Sequence, residues 1–482
     1  MPTSNKIDSY FYFDKQKSFI IFSILFIIIL ISSVYFDSIY FSIIPIICLF
    51  GIYFIYQPTH LYFLLLFVLP FTIEYDFNKS VFDIPSEPLM FLTAMYTTLF
   101  GILFTKKSKE ILQKNTISLF LILHLCITYC STILSTNIIV SLKICIVKTA
   151  YILSFYLATL FFIQKKERLI KLLWTLWIPT FFTIITILVL HAIDNFSFDT
   201  INNAVIPIYR NHVNYGVFIT MLLPFLFYLR INTSKQSIKR LFIDISILTT
   251  LAAIYFTYTR GAWLALLAMP IYIFIIKMRW SKYLLIITTL AIILFSTYIL
   301  SNYNYLKYAP NYDTTIYHDD LNAHLNSTFE MEDMSTVERF YRWLAAIKMT
   351  KHTLWHGVGA GNFTANYKLY TVAAYQTYIS DNEEQSTVHN YFLLLLTEQG
   401  IFALILFVIF IYYIILNIEK IYHHQQSKEN KILVMAIAMS IMTFLVNNTL
   451  SDLVEANKVG SLFFVNLALI SFINRNNVKP KI

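Results

Sequence analysis

The sequence predicts an all-α, polytopic integral membrane protein of about 12–14 transmembrane helices with one large external loop. Three observations carry that prediction. Of the 482 residues, 57% are hydrophobic, 17% aromatic and only 13% charged, and the mean hydropathy is +0.63. Soluble chains of this length do not have that composition. Apolar runs of roughly 17–25 residues recur from end to end, the length a helix needs to cross a bilayer. Lys and Arg are also spread unevenly among the connections, as the positive-inside rule requires of a multi-pass protein. The net charge of +9 is therefore a topology signal and not a sign of nucleic-acid binding.

In order, the runs fall near 18–36, 39–56, 60–73, 86–105, 116–135, 139–163, 168–190, 213–230, 241–258, 261–277, 283–301, 389–416, 431–451 and 458–474. The first lacks a small-residue cleavage site and passes almost directly into the second, so it reads as a retained helix. The third is short enough to be re-entrant. No internal repeat is evident. The chain thus divides into N-terminal membrane helices (1–301), a large loop (302–388) and C-terminal membrane helices (389–482). The basic connections at 106–114, 165–171, 230–240, 277–282 and 420–431, with both termini, hold 24 of the 36 Lys and Arg. Both termini are predicted to be cytoplasmic, and connections 74–86, 191–212 and 302–388 to face outward. Cys48, Cys126, Cys130 and Cys145 all lie inside apolar runs. They read as small core hydrophobes, not as a disulfide framework or a zinc site.

The large loop carries ten acidic and six basic residues. Ser335-Thr336-Val337-Glu338 is a capping-box pattern, followed at helical spacing by Phe340, Tyr341 and Leu344. A helix is expected over 336–351, lying on the membrane surface with Trp343 at the interface. Residues 352–363 are punctuated by glycine, and 362–380 are Tyr-rich, consistent with a second short helix.

Charges in or near a bilayer each need a reason. Arg260 sits in the tight connection Tyr258-Thr259-Arg260-Gly261-Ala262-Trp263, and Arg210 opens another helix, the run 213–230, from the same predicted outer side. Lys143 and Lys148 lie in the outer half of the sixth run. Guanidinium forks match phosphate oxygens bidentately, so this group reads as a diphosphate-binding wall. The alternative is snorkelling to lipid head groups and, for the two lysines, a salt bridge with Glu398 or Glu74. His389 stands where the polar loop meets an apolar run, on the same face. An imidazole can accept a hydroxyl proton at neutral pH. Glu398 lies nine residues on, about half a turn round and roughly 13 Å deeper in a continuous helix. It is therefore no direct partner for His389 and is expected to pair with a cation from another helix. His318-Asp319-Asp320 with His324 matches no strong metal motif. Gly357-Val358-Gly359-Ala360-Gly361 lacks the strand and lysine of a phosphate-binding loop. His124 reads as a satisfied core histidine.

Three blocks resemble the O-antigen ligase family, which shares its membrane core with O-antigen polymerases and bacterial protein O-oligosaccharyltransferases. They are Thr259-Arg260-Gly261-Ala262-Trp263; Arg339-Phe340-Tyr341-Arg342-Trp343 running through His352 to Phe363; and His389-Asn390 with Gly400 beyond. The segment from Arg210 to Leu222 fits more loosely. Ala403 and Thr353 depart from the family pattern, but neither removes a charged group. The resemblance implies a GT-C-like glycosyltransferase of the bacterial inner membrane, with its active site on the periplasmic face and independent of metal, nucleotide or other cofactor. The donor would be a glycan on undecaprenyl diphosphate, and the acceptor a hydroxyl of lipid A–core or another molecule. By the same resemblance His389 is the base, Arg260 and Arg210 hold the diphosphate, and Arg339 matches a loop arginine of the family. Tyr367, Tyr370, Tyr375 and Tyr378 are available to pack on sugar rings.

Ligation of O-antigen to lipid A–core is the leading expectation. An O-antigen polymerase and a protein O-oligosaccharyltransferase are the alternatives. No Arg-x10-Gly pattern follows Arg210 or Arg339, which disfavours the polymerase. The chain ends soon after its last run, which disfavours the oligosaccharyltransferase. A lipid-linked glycan transporter, a different class, would favour inverted repeats and helices broken near the midplane.

Overall fold

The computed structural model describes residues 53–54, 56–77, 80–102, 115–309, 334–377, 380, 382 and 386–478. The predicted helices at 18–36 and 39–56, Cys48, the 106–114 connection, Tyr378 and the His318–His324 group lie wholly or largely outside these. The chain divides into Met1–Leu61 and Tyr62–Ile482. Within the first unit the Tyr53 hydroxyl hydrogen-bonds His60 Nδ1 at 2.5 Å. Apart from the first turn of the helix Pro58–Val68, all that follows concerns the second.

The protein is a mostly helical, polytopic membrane protein. Among the described residues nine helices are long and apolar enough to cross a membrane. After the short apolar helix α1 (Pro58–Val68) comes a hairpin that hydropathy did not reveal, β1 (Ile73–Phe77) antiparallel to β2 (Ser80–Ile84), with Glu74 opposite Asp83. Helix α2 (Ser86–Tyr96) ends in a π-turn over Thr97–Ile102. Next are α3 (Thr116–Ile133), α4 (Ile138–Tyr151, continued to Phe162), α5 (Lys166–Ile193) and the short α6 (Ile201–Val205). They are followed by α7 (His212–Ile231), α8 (Ile238–Phe256), α9 (Arg260–Lys277) and α10 (Ser281–Leu300). The loop contributes α11 (Met334–Thr353), and the chain closes with α12 (Tyr391–Gln399), α13 (Ile401–His424), α14 (Lys428–Asn448) and α15 (Asn457–Val478).

Asparagines start several of these helices. The side chains of Asn115, Asn137, Asn211 and Asn390 accept from backbone N–H groups at the starts of α3, α4, α7 and α12. These are donors that the helix cannot satisfy itself and that lipid cannot satisfy at all. Helices α7 and α15 are the most enclosed, whereas α10 is almost wholly exposed along its apolar length. Helix α14 packs against α7 and α9, so its C-terminal end lies beside the starts of both.

Two expectations are corrected. The run 389–416 is not one helix. It breaks at Gly400, whose φ of 82° is open to glycine and strained for other residues. A Cβ there would lie 2.4 Å from the Trp355 carbonyl oxygen. The break lies beyond Glu398, so the stretch from His389 to Glu398 still runs along one helix, Tyr391–Gln399. Nor do the cysteines act alike, since Cys145 is buried while Cys126 and Cys130 are exposed. The loop helix is present, one turn longer than predicted, with Val337, Tyr341, Leu344 and Met349 buried. Trp343 is tied into the protein, its Nε1 donating to the Val388 carbonyl at 3.0 Å.

Candidate active site

The short connection 386–390 is held from three directions. Trp343 of α11 binds the Val388 carbonyl. Asn390 donates to the Thr449 carbonyl at 3.0 Å, and its Oδ1 caps Leu393 N at 3.1 Å. The Thr387 hydroxyl donates to Asp452 Oδ2. Between these anchors His389 adopts φ 54°, the left-handed region, which disfavours a residue with a Cβ by about 1–2 kcal/mol. Such strain persists only where the surroundings over-determine it. His389 Nδ1 lies 3.9 Å from Asp452 Oδ1, and the imidazole remains a third exposed. Asp452, in the connection between α14 and α15, brings beside the imidazole a carboxylate that sequence reasoning did not supply.

Three guanidinium groups act on this imidazole. Burial first, then the positive charges of Arg339, Arg342 and Arg210, push its pKa from the ordinary 6.5 down to about 3. Arg342 escaped the sequence reading. It sits three residues from Arg339, a spacing that puts both on one side of α11. Its Nη2 donates to Glu338 Oε2 at 3.1 Å, and the other Glu338 oxygen accepts from the Thr377 and Ser380 hydroxyls, each at 2.6 Å. Both side chains of the pair are buried.

The depressed histidine has a consequence for folding. The unfolded imidazole binds a proton near pH 6.5 and the folded one refuses it until about pH 3, so acidification through that window favours the unfolded state. Thermal unfolding in detergent at pH 7.5 and pH 5 should show wild type losing more stability than His389→Asn. Equal losses in the two proteins would contradict this account.

Arg260 opens α9 at the same end of the bundle. The Thr259 hydroxyl donates to the His212 carbonyl at 3.1 Å, tying the Arg260 turn to the Arg210 segment. The next residue, Gly261, lies against Asn447 at the end of α14. Arg260 thus joins the site through its neighbours and is not among the cations that dominate at His389. The lysines diverge. Lys143 stands 5.7 Å from the Phe82 ring of the hairpin. Lys148 is buried in a cavity shared with His124, Tyr391, Phe407 and Phe463, beneath the helix that His389 precedes. His124 is not the satisfied core histidine expected: the residue is half-buried, and its Nδ1 has no hydrogen-bond partner among the described residues.

Glu398 serves the glycine block. Its Oε2 accepts from Gly361 N at 2.8 Å and its Oε1 from Phe363 N at 3.1 Å, while its own carbonyl accepts from Gly359 N at 2.8 Å. Gly359 has φ 94°, and a Cβ there would lie 2.0 Å from Ser135 Cβ. The glycines are thus needed for close packing between the α3–α4 turn and the end of α12. Tyr367 and Tyr375 are fully buried, the latter donating to the Tyr305 carbonyl, so neither offers a face to a sugar. Tyr370 is partly exposed, beside His352.

Residues 245–408 match a family model described as O-Antigen ligase. No curated protein matches the chain. The matched stretch contains Arg260, Arg339, Arg342, His389 and Glu398, while Arg210, Asp452 and Lys458 lie outside it. The match implies membrane glycan transfer of the ligase or polymerase type, acting on lipid-linked glycans.

Proposed function

From a match to the O-antigen ligase family and a histidine within electrostatic reach of three arginines, we propose that the protein transfers a glycan from undecaprenyl diphosphate to a hydroxyl of lipid A–core. In this reading the reaction occurs at the periplasmic face of the bacterial inner membrane. The observation that carries it is His389 set among Arg339, Arg342 and Arg210 with Asp452 behind it. Three guanidinium groups around one imidazole repel a proton and attract a polyanion. A diphosphate is such a polyanion, and the forked geometry of Arg suits it.

His389 takes the proton of the acceptor hydroxyl. The oxygen attacks the anomeric carbon, forming the new C–O bond as the bond to the diphosphate breaks, and undecaprenyl diphosphate leaves with the electron pair. Arg210, Arg339 and Arg342 hold the charge that develops on it, with Arg260 supporting from the adjoining turn. Attack opposite the leaving group inverts the anomeric centre, and no step calls for a metal ion. Asp452 stabilises the imidazolium through Nδ1. Burial and the arginine charges hold the histidine neutral, and a bound diphosphate offsets those charges, so the base gains strength once the donor is seated.

The test is reconstitution. Purified protein, lipid-linked polysaccharide donor and lipid A–core are combined with EDTA present, and the products are separated by mass. The expected product is glycan on lipid A–core. Longer lipid-linked glycan formed without acceptor would assign the polymerase reaction instead.

A further inference from the structure

Lys458 is the second residue of α15, near the positive end of a helix dipole, where a cation is disfavoured. It is nevertheless buried, at 7% exposure. Its ammonium group has three N–H donors, and three carbonyl oxygens meet it: Pro70 at 3.0 Å, Thr72 at 3.0 Å, and Ile208. The amine also lies 3.8 Å from the centroid of the Tyr209 ring. Glu74 and Asp83, directly opposed across the hairpin, both act on it electrostatically. Like charges so placed repel, and the nearby cation offsets that repulsion. Burial and the Glu74 carboxylate raise Asp83 to about 6.

Two of the groups that Lys458 grips, the Ile208 carbonyl and the Tyr209 ring, immediately precede Arg210. On its other side, Asn211 caps α7 at 2.9 Å, and His212 N is bound by Asn202 Oδ1 at 3.1 Å. Arg210 is thus the one residue suspended between two fixed points. We infer that Lys458 is a positioning residue for donor binding, setting the backbone from which Arg210 reaches the diphosphate. This rests on the reading of Arg210 given above.

The experiment varies donor and acceptor separately with purified variants. Lys458→Met should raise the donor KM about tenfold and lower kcat by a smaller factor, leaving the acceptor KM within about twofold. The double variant with Arg210→Ala should be no worse for donor than Arg210→Ala alone, because both remove one function. Should Lys458→Met fail to fold, Lys458→Gln keeps two N–H donors and should give the same pattern at smaller size. Full additivity with Arg210→Ala, or a fall in kcat with both KM values unchanged, would overturn the assignment. If Arg210→Ala itself leaves donor KM unchanged, the reading of Arg210 fails first and takes this assignment with it.

Discussion

Replacing His389 with Ala should slow glycan transfer roughly 10²–10⁴-fold, the range for loss of a general base, without loss of fold. In the host, full-length polymer should accumulate on the lipid carrier while lipid A–core stays bare. Asp452→Asn should give a smaller loss, because the imidazole remains and only its orientation and charge stabilisation weaken. The left-handed backbone supplies an internal control. Glycine tolerates φ 54° where alanine does not, so His389→Gly should unfold at a higher temperature than His389→Ala by an amount corresponding to about 1 kcal/mol. An inactive protein more stable at the site of the lost residue is the mark of strain kept for chemistry. Normal surface glycan from well-expressed His389→Ala would remove the histidine from the mechanism.

Glu398→Ala should act through stability. The carboxylate is buried and takes two backbone N–H groups of the glycine block. Truncation strands both donors in a dry interior, at about 1–3 kcal/mol each. The block it holds also fills the space between the end of α12 and the α3–α4 turn, so loosening it disturbs both. Thermal unfolding in detergent should show a large drop in Tm, and activity should fall with folded fraction. A Tm within about 2 °C of wild type would be incompatible with the two hydrogen bonds carrying this much. The pair of variants separates roles: His389→Ala loses turnover at full stability, and Glu398→Ala loses stability first.

The membrane architecture was legible because bilayer physics writes directly into composition: lipid demands long apolar runs, and His389, Arg210 and Arg260 stood out against that background. What was not legible depends on contacts distant in sequence. Asp452 is an ordinary acidic residue in a short connection until the fold brings it beside Thr387 and His389. Arg342 could have been found from its spacing to Arg339. The hairpin was hidden because its strands are short and acidic, and Glu74 and Asp83 face each other only through a distant lysine. The break at Gly400 follows the polar Thr397-Glu398-Gln399, a signal that the run-length reading passed over, and the approach of the Trp355 carbonyl explains why glycine stands there.

Helix α11 carries two of the site's arginines and, one residue beyond the second, the tryptophan that fixes the carbonyl before His389. Cation wall and base are therefore not inherited independently. A chimera that exchanges the large loop between related proteins must transplant 334–353 and 386–390 as a single cassette. Donor grip and proton transfer would then diverge together or not at all, leaving specificity free to drift elsewhere in the loop.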